Sequence, residues 1–104
     1  MKIELFHDTN FQNNIINKHQ CNFLYGPFVH AGTIEAETIE EAYYLSQNSN
    51  YLWITNKAVQ ATGLSNRSTM IGDVMVFKDT FYVIHSIGFR EISLEEMTHF
   101  NLTK

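Results

Sequence analysis

Two apolar runs near the C-terminus constrain the fold of this chain more than any other feature. The runs Asp73–Phe77 and Phe81–His85 are rich in β-branched and aromatic side chains, which pack well on the surface of a pleated sheet. Only Lys78, Asp79 and Thr80 separate the two runs. This spacing predicts a tight antiparallel hairpin.

Three further segments are candidates for strands. Near the N-terminus, Ile3, Leu5 and His7 alternate with other side chains in the pattern of a half-buried strand. Phe28–Glu35 is a second candidate, and Gly32 inside it is typical of a bulge. Phe89–Ile92, after a glycine, either continues the hairpin past a bulge or forms a third short strand.

Two capping boxes predict the starts of two helices. Thr38 is followed three residues later by Glu41, at the start of a helix expected over Thr38–Gln47. Ser93 and Glu96 repeat the spacing and predict a short C-terminal helix. Its expected buried face consists of Leu94, Met97 and Phe100.

These elements predict an α+β fold in one domain over residues 1–104. We expect a three- to five-stranded, mainly antiparallel sheet with the Thr38–Gln47 helix packed on one face and the C-terminal helix at an edge or end. Asn56–Leu64 is read as one helical turn, and an exposed edge of the hairpin could pair in a homodimer. The expected core comprises Ile3, Leu5, Ile39, Ala42, Tyr43, Trp53, Val74, Val76, Tyr82, Ile84 and Phe89.

Composition narrows the class of protein. The chain has 104 residues, 44% of them hydrophobic, and a single proline, which argues against disorder. Its net charge of −4 disfavours an electrostatic nucleic-acid binder. A lone cysteine, Cys21, excludes an intramolecular disulfide, and the sequence shows no signal peptide or apolar membrane span. We therefore expect a cytoplasmic protein that is not bound to a membrane.

Residues with reactive side chains are scattered along the chain. None of the histidine pairs has the spacing of a zinc-binding helix, although His7, His30 and His85, all on expected strands, could converge in the fold. The residues around Cys21 carry no nucleophile signature, and the glycines form no phosphate-binding loop. We expect no catalytic residues, no metal and no cofactor.

One polar segment, Asn66–Val74, has two interpretations. As a recognition loop, Arg67 would bind a carboxylate or phosphate while Ser68 and Thr69 add hydrogen bonds. As a structural turn, Asp73 would lead into the hairpin and pair with Arg67, and the hydroxyl groups would bond to nearby backbone.

The chain carries an ordered set of residues: Leu45-Ser46-Gln47-Asn48, Trp53, Arg67-Ser68-Thr69-Met70-Ile71-Gly72-Asp73-Val74, Tyr82-Val83 and Ile87-Gly88-Phe89-Arg90-Glu91-Ile92. In this order the residues resemble a widespread group of small uncharacterised proteins carried by phages, plasmids and bacterial accessory regions. The match covers about residues 35–92, and YodL-type domains have a similar tail. Thr69, Met70 and Ile71 depart from the group, which has Ser-Val in this region. The group has no settled enzymatic activity, so the resemblance implies a mobile-element context and no mechanism.

The leading hypothesis is a non-catalytic accessory protein that contacts a host or mobile-element protein, with a host defence component as one such partner. Trp53, Arg67 and Phe89 would supply the aromatic and arginine anchors typical of binding hot spots, and Ser68, Thr69 and Asp73 would complete the contact. A nucleic-acid-binding module and, third, a small metal-dependent hydrolase are the alternatives.

Overall fold

In the part of the chain that the structure describes, six strands form one sheet and two short helices accompany it. The computed structural model describes residues 1–10, 26–49, 51–85, 88–99 and 102. The sheet order is β3-β2-β1-β4-β5-β6, with every neighbouring pair antiparallel. In chain order the elements are β1 (Lys2–Asp8), β2 (Phe28–Glu35), α1 (Ile39–Leu45), a 3-10 turn (Trp53–Thr55), β3 (Val59–Ala61), β4 (Val74–Phe77), β5 (Thr80–His85), β6 (Gly88–Glu91) and α2 (Leu94–His99).

The predicted fold class is confirmed, but the predicted strand count of three to five is wrong. Val59–Ala61, expected to lie in a helical turn, pairs with β2 as an edge strand. Gly88–Glu91 is a separate strand paired with β5. The hairpin consequently lies inside the sheet, with β4 paired to β1, and has no exposed edge of its own.

The hairpin itself forms as expected. Phe77 pairs with Thr80, which leaves Lys78 and Asp79 as a two-residue turn. Both residues have positive φ, 50° and 67°, as a type I′ turn requires, and this turn matches the right-handed twist of the two strands.

The bulge expected near Gly32 is present. Leu5 pairs with Gly32 whereas Phe6 pairs with His30, so Ala31 is the extra residue in β2. A side chain at position 32 would meet the Gln60 carbonyl oxygen at 3.0 Å and the Ala61 Cα at 3.3 Å. Glycine therefore allows β3 to approach β2.

Both helices begin at their predicted caps. The Thr38 hydroxyl accepts the Glu41 N–H (3.1 Å), although the Glu41 carboxylate reaches the N–H of Glu37 rather than that of Thr38. Ser93 and Glu96 form the reciprocal box, with both hydrogen bonds at 3.1 Å. In α2, Met97 packs inward, whereas Leu94 is 76% exposed, contrary to expectation.

Apolar side chains cover both faces of the sheet. The α1 face carries Ile3, Leu5, Met75 and Ile84 against Ala42 and Trp53. The α2 face carries Phe6, Val74, Val76, Phe81 and Val83 against Ile92, Met97 and Leu102. Most of the expected core residues are buried or half-buried on these two faces. Phe6, Phe81 and Val83 were not expected in the core, and they are buried because α2 packs on a face of the sheet rather than at its edge.

None of the helices in the described ranges has the length and apolar character needed to span a membrane. The predictions for Cys21 and Phe100 lie outside the described residues.

Candidate functional site

The carboxylate of Asp73 is the centre of a buried polar network. Its Oδ1 accepts hydrogen bonds from the Asp8 N–H (2.8 Å) and Arg67 Nη2 (2.8 Å). Its Oδ2 accepts from Arg67 Nη1 (2.8 Å) and the Met70 N–H (2.7 Å). These four bonds fill the roughly four lone-pair positions of a carboxylate, so Asp73 has no remaining capacity to act as a general base.

Arg67 joins three segments of the chain through its planar guanidinium. Besides the bidentate pair with Asp73, it donates to the carbonyl oxygens of Ser68 and Asp8, both at 2.9 Å. Its side chain is 19% exposed and that of Asp73 is fully buried. The structural interpretation of this pair is thus borne out by the geometry, and the arginine is engaged within the fold.

His7 extends the network from β1. Its Nδ1 lies 2.7 Å from the Ser65 hydroxyl, its Nε2 lies 2.9 Å from the Thr69 hydroxyl, and the ring is fully buried against Trp53. A serine bonded to a histidine is the first half of a nucleophilic relay. The Asp73 carboxylate, which already accepts four hydrogen bonds, lies 3.9 Å from Nε2, and the Thr69 hydroxyl rather than a carboxylate occupies the orienting position next to this nitrogen.

Trp53 ties the 3-10 turn to the loop before β4. Its indole N–H lies within hydrogen-bond distance of the carbonyl oxygens of Arg67 (2.8 Å) and Asn66 (3.1 Å), and its backbone N–H donates to the Asn48 side chain (2.9 Å). The Asn48 backbone N–H in turn donates to the Ser68 hydroxyl oxygen (2.7 Å). These acceptors explain why the tryptophan points inward.

The C-terminal end of α1 is bonded to the same loop. Gln47 donates to the Thr69 carbonyl oxygen (2.9 Å), and the Thr69 N–H donates to that of Ser46 (3.1 Å). The residues from the resemblance pattern between Ser46 and Asp73 therefore meet in one place, although they are spread over three segments of the sequence.

The structure brings five of the six predicted site residues together, but in the interior of the protein rather than on the exposed surface that was expected. Trp53, Thr69 and Asp73 are 2%, 1% and 0% exposed, while Arg67 and Ser68 are half-buried. Phe89 lies apart, with its ring edge-on to Tyr43 at 6.4 Å. The expected surface of Trp53, Arg67 and Phe89 does not form, since Trp53 is a core residue.

The histidines on the strands do not converge. His30 lies on the α2 face, 2.8 Å from the Glu4 carboxylate, away from His7. His85 lines a groove beside α1. Within the described part of the chain, no three His, Cys, Asp or Glu residues form a group that could hold a metal ion.

An exposed apolar cluster lies next to the polar network. Tyr44, Tyr51 and Leu52, here called the aromatic surface, are 83%, 81% and 57% exposed. All three line one groove of about 580 Å³ between α1 and the 3-10 turn. Sequence reasoning missed it, but a signal existed: Tyr44 is two positions from Ala42, on the opposite side of a helix whose buried face was known.

A second groove shares Tyr44 with the first. It measures about 380 Å³ and lies between α1 and the end of the β5–β6 pair. Its lining is mostly apolar or aromatic, with Glu40 and His85 as the exceptions. The lining residues are Glu40, Tyr43, Tyr44, Ile71, Ile84, His85, Gly88 and Phe89. Two concave, largely apolar surfaces therefore flank α1.

Comparison with known proteins returned nothing similar: no family model matched the chain, and neither did any curated protein or solved structure.

Proposed function

We propose that this chain is a non-catalytic accessory protein that acts by protein–protein contact through the aromatic surface. The observation that carries the proposal is the grouping of Tyr44, Tyr51 and Leu52, mostly exposed, around a single groove. Contiguous exposed apolar side chains on small proteins commonly mark interaction sites, and tyrosine is enriched at binding hot spots.

The polar network supports this role by holding the aromatic surface in place. Ser46 and Gln47, at the end of α1, are bonded to Thr69. Asn48 is bonded to both Trp53 and Ser68. A surface whose backbone is fixed before binding loses less conformational entropy when a partner docks.

The context of the partner follows from the resemblance alone. Small proteins of phages and plasmids commonly act on host proteins, and we propose a host or mobile-element protein, such as a defence component, as the partner. The nucleic-acid alternative is less well supported, because the guanidinium it would use, that of Arg67, is engaged with Asp73.

The test compares partner capture by two variants of the full chain. Tagged wild type, the double variant Tyr44→Ala/Tyr51→Ala and the control Leu94→Ala are expressed in host cells, and retained proteins are quantified by mass spectrometry. Leu94 is a suitable control because it is also highly exposed, at 76%, but belongs to α2. We expect the double variant to bind the retained protein at least about 30-fold more weakly with purified components.

Thermal melts of all three proteins should agree, because the substituted side chains are on the surface. Equal binding by wild type and the double variant would refute the proposal. Weaker binding by Leu94→Ala alone would move the contact to α2.

A further inference from the structure

Within the described residues the sheet ends at β3 and β6, and each of these strands pairs with a neighbouring strand on one side only. In the β5–β6 ladder the Ile92 N–H donates to the Phe81 carbonyl oxygen (2.8 Å). Antiparallel ladders alternate between bonded and non-bonded pairs, so the bonded pairs include Val83–Arg90, and the backbone groups of Phe89 and Glu91 point away from the sheet. No residue in the described ranges bonds to the N–H groups of Phe89 and Glu91.

The side chains of Phe89 and Glu91 lie on the α1 face. Phe89 packs against that face's core, and Glu91 is opposite Tyr82, which is itself opposite Met75. Cross-strand partners share a face. The 380 Å³ groove reaches this edge, since Gly88 and Phe89 line it together with Tyr43 and Tyr44.

The charge at this edge is negative. Glu40 lines the groove and Glu91 is exposed at the other end of β6. Arg90, which directly precedes Glu91, points to the α2 face, where its guanidinium lies 3.0 Å from the Glu96 carboxylate. No lysine or arginine is among the described residues lining the groove. An occupant with a cationic side chain would therefore complement the site.

The opposite edge, β3, differs in each of these respects. It has three residues, and the Val59 N–H is already bonded to the Asn56 carbonyl oxygen (3.0 Å). The cavity beside it is lined by Lys2 and Lys57 with Glu35, and its lining includes few apolar side chains. Lysine at a sheet edge discourages the addition of further strands.

We propose that β6 is a docking edge to which an extended segment of a partner protein adds as a seventh strand, with an apolar side chain beside Phe89 and a lysine or arginine two positions away, beside Glu91. The inference rests on the proposed function and specifies its mode. Strand addition uses backbone hydrogen bonds for affinity and alternate side chains for selectivity. The two-residue spacing follows because alternate residues of a strand share a face.

A random library of linear twelve-residue peptides, panned on the purified full chain, provides the probe. Enriched peptides are expected to carry an apolar and a basic residue two positions apart. Replacing that basic residue by glutamate should weaken binding by about fivefold, in line with the strength of cross-strand charge pairs. N-methylation of those peptide amide groups that would donate hydrogen bonds to β6 should weaken peptide binding more than tenfold.

A matched pair of proline variants localises the binding. Glu91→Pro removes an outward N–H from β6, and Ala61→Pro removes an outward N–H from β3, where the flanking Gln60 and Thr62 make the bonds to β2. Proline is tolerated at such edge positions. The enriched peptides should bind Ala61→Pro as they bind wild type, and bind Glu91→Pro at least tenfold more weakly. If Glu91→Pro fails to fold, the N-methylated peptides still decide the matter.

Several results would overturn the inference. These are the absence of any enriched peptide, equal binding to both proline variants, selection of acidic peptides, or a homodimer in sedimentation velocity that Glu91→Pro abolishes. A partner that is lost with Tyr44→Ala/Tyr51→Ala but retained by Glu91→Pro would refute strand addition while leaving the proposed function intact.

Discussion

Asp73 combines complete burial with four accepted hydrogen bonds, two of them from Arg67. In Asp73→Asn the NH2 group of the amide would replace a carboxylate oxygen and could not accept the two hydrogen bonds made there. The guanidinium of Arg67 would also lose its counter-charge. Breaking a buried ion pair by changing one partner costs about 3 kcal/mol. We expect a loss of that order in the free energy of unfolding, measured by urea denaturation followed by circular dichroism.

Asp79→Asn is the control for this prediction. This variant makes the same substitution at an exposed turn position. Asp79 has a φ of 67°, a conformation that asparagine tolerates well. Its midpoint should stay close to that of wild type. A similarly small effect of Asp73→Asn would show that the network contributes little to stability.

Individual residues differed in how far the sequence could place them. The pairing of Arg67 with Asp73 could be anticipated as one of two interpretations of this segment, because the two residues are only six positions apart. The contacts of His7 with Ser65 and Thr69 span about 60 residues. No local pattern encodes contacts over such a separation, so the buried histidine emerged only from the fold.

At the level of the element, the start of α2 depends on Glu96. Its carboxylate accepts hydrogen bonds from Arg90 and from the Ser93 N–H, and the Arg90 bond is the main reason that the pKa of Glu96 lies below its ordinary value. A carboxyl group whose pKa falls on folding stabilises the protein when ionised. This contribution is present above the ordinary pKa and is lost as pH falls through the lowered one.

Glu96→Gln should therefore be less stable than wild type by about 1 kcal/mol at neutral pH, which corresponds to a fall in Tm of roughly 4–8 °C for a domain of this size. The difference should shrink as the pH is lowered through the folded pKa of Glu96. Thermal melts across pH provide the measurement, and Glu95→Gln, in the same first turn, is the control. A difference that does not change with pH would contradict the electrostatic explanation.

The close approach of β2 and β3 gives a second prediction at this scale. In Gly32→Ala the new methyl group would meet the Gln60 carbonyl oxygen at 3.0 Å, so backbone must move. We expect a destabilisation of about 1–3 kcal/mol, as for other overpacked positions, in urea denaturation. Gln60→Ala, which retains the backbone at that contact, should have little effect. An unchanged midpoint for Gly32→Ala would mean that β3 can move aside at little cost.

Elements with local determinants were predictable and the others were not. The hairpin turn and the two N-caps depend on residues within four positions of one another. Strand β3 has no such signal, since Val59, Gln60 and Ala61 form a strand only because β2 supplies its partner. The mistaken helical turn at Asn56–Leu64 has this cause.

At the scale of the whole molecule, the linear strand order predicts a gradient of stability. Strands β1 and β4 are paired on both sides and covered on both faces, whereas β3 and β6 are edges. The N–H of Met75 should exchange with deuterium slowest, near the rate set by global unfolding, and those of Gln60 and Arg90 at least about tenfold faster. Exchange followed by NMR tests this, and equal protection of Gln60 and Met75 would contradict it.

The fold class, the hairpin, both helix starts and most of the core could be predicted from the amino-acid sequence, because these features depend on short-range periodicity and on side chains that bond to nearby backbone. The strand order, the burial of Trp53 and the exposure of Tyr44 depend instead on how distant segments pack together. A side chain is buried when distant segments supply its apolar contacts and hydrogen-bond acceptors. Trp53 finds its acceptors at Asn66 and Arg67, whereas Tyr44 is directed to the open side of α1.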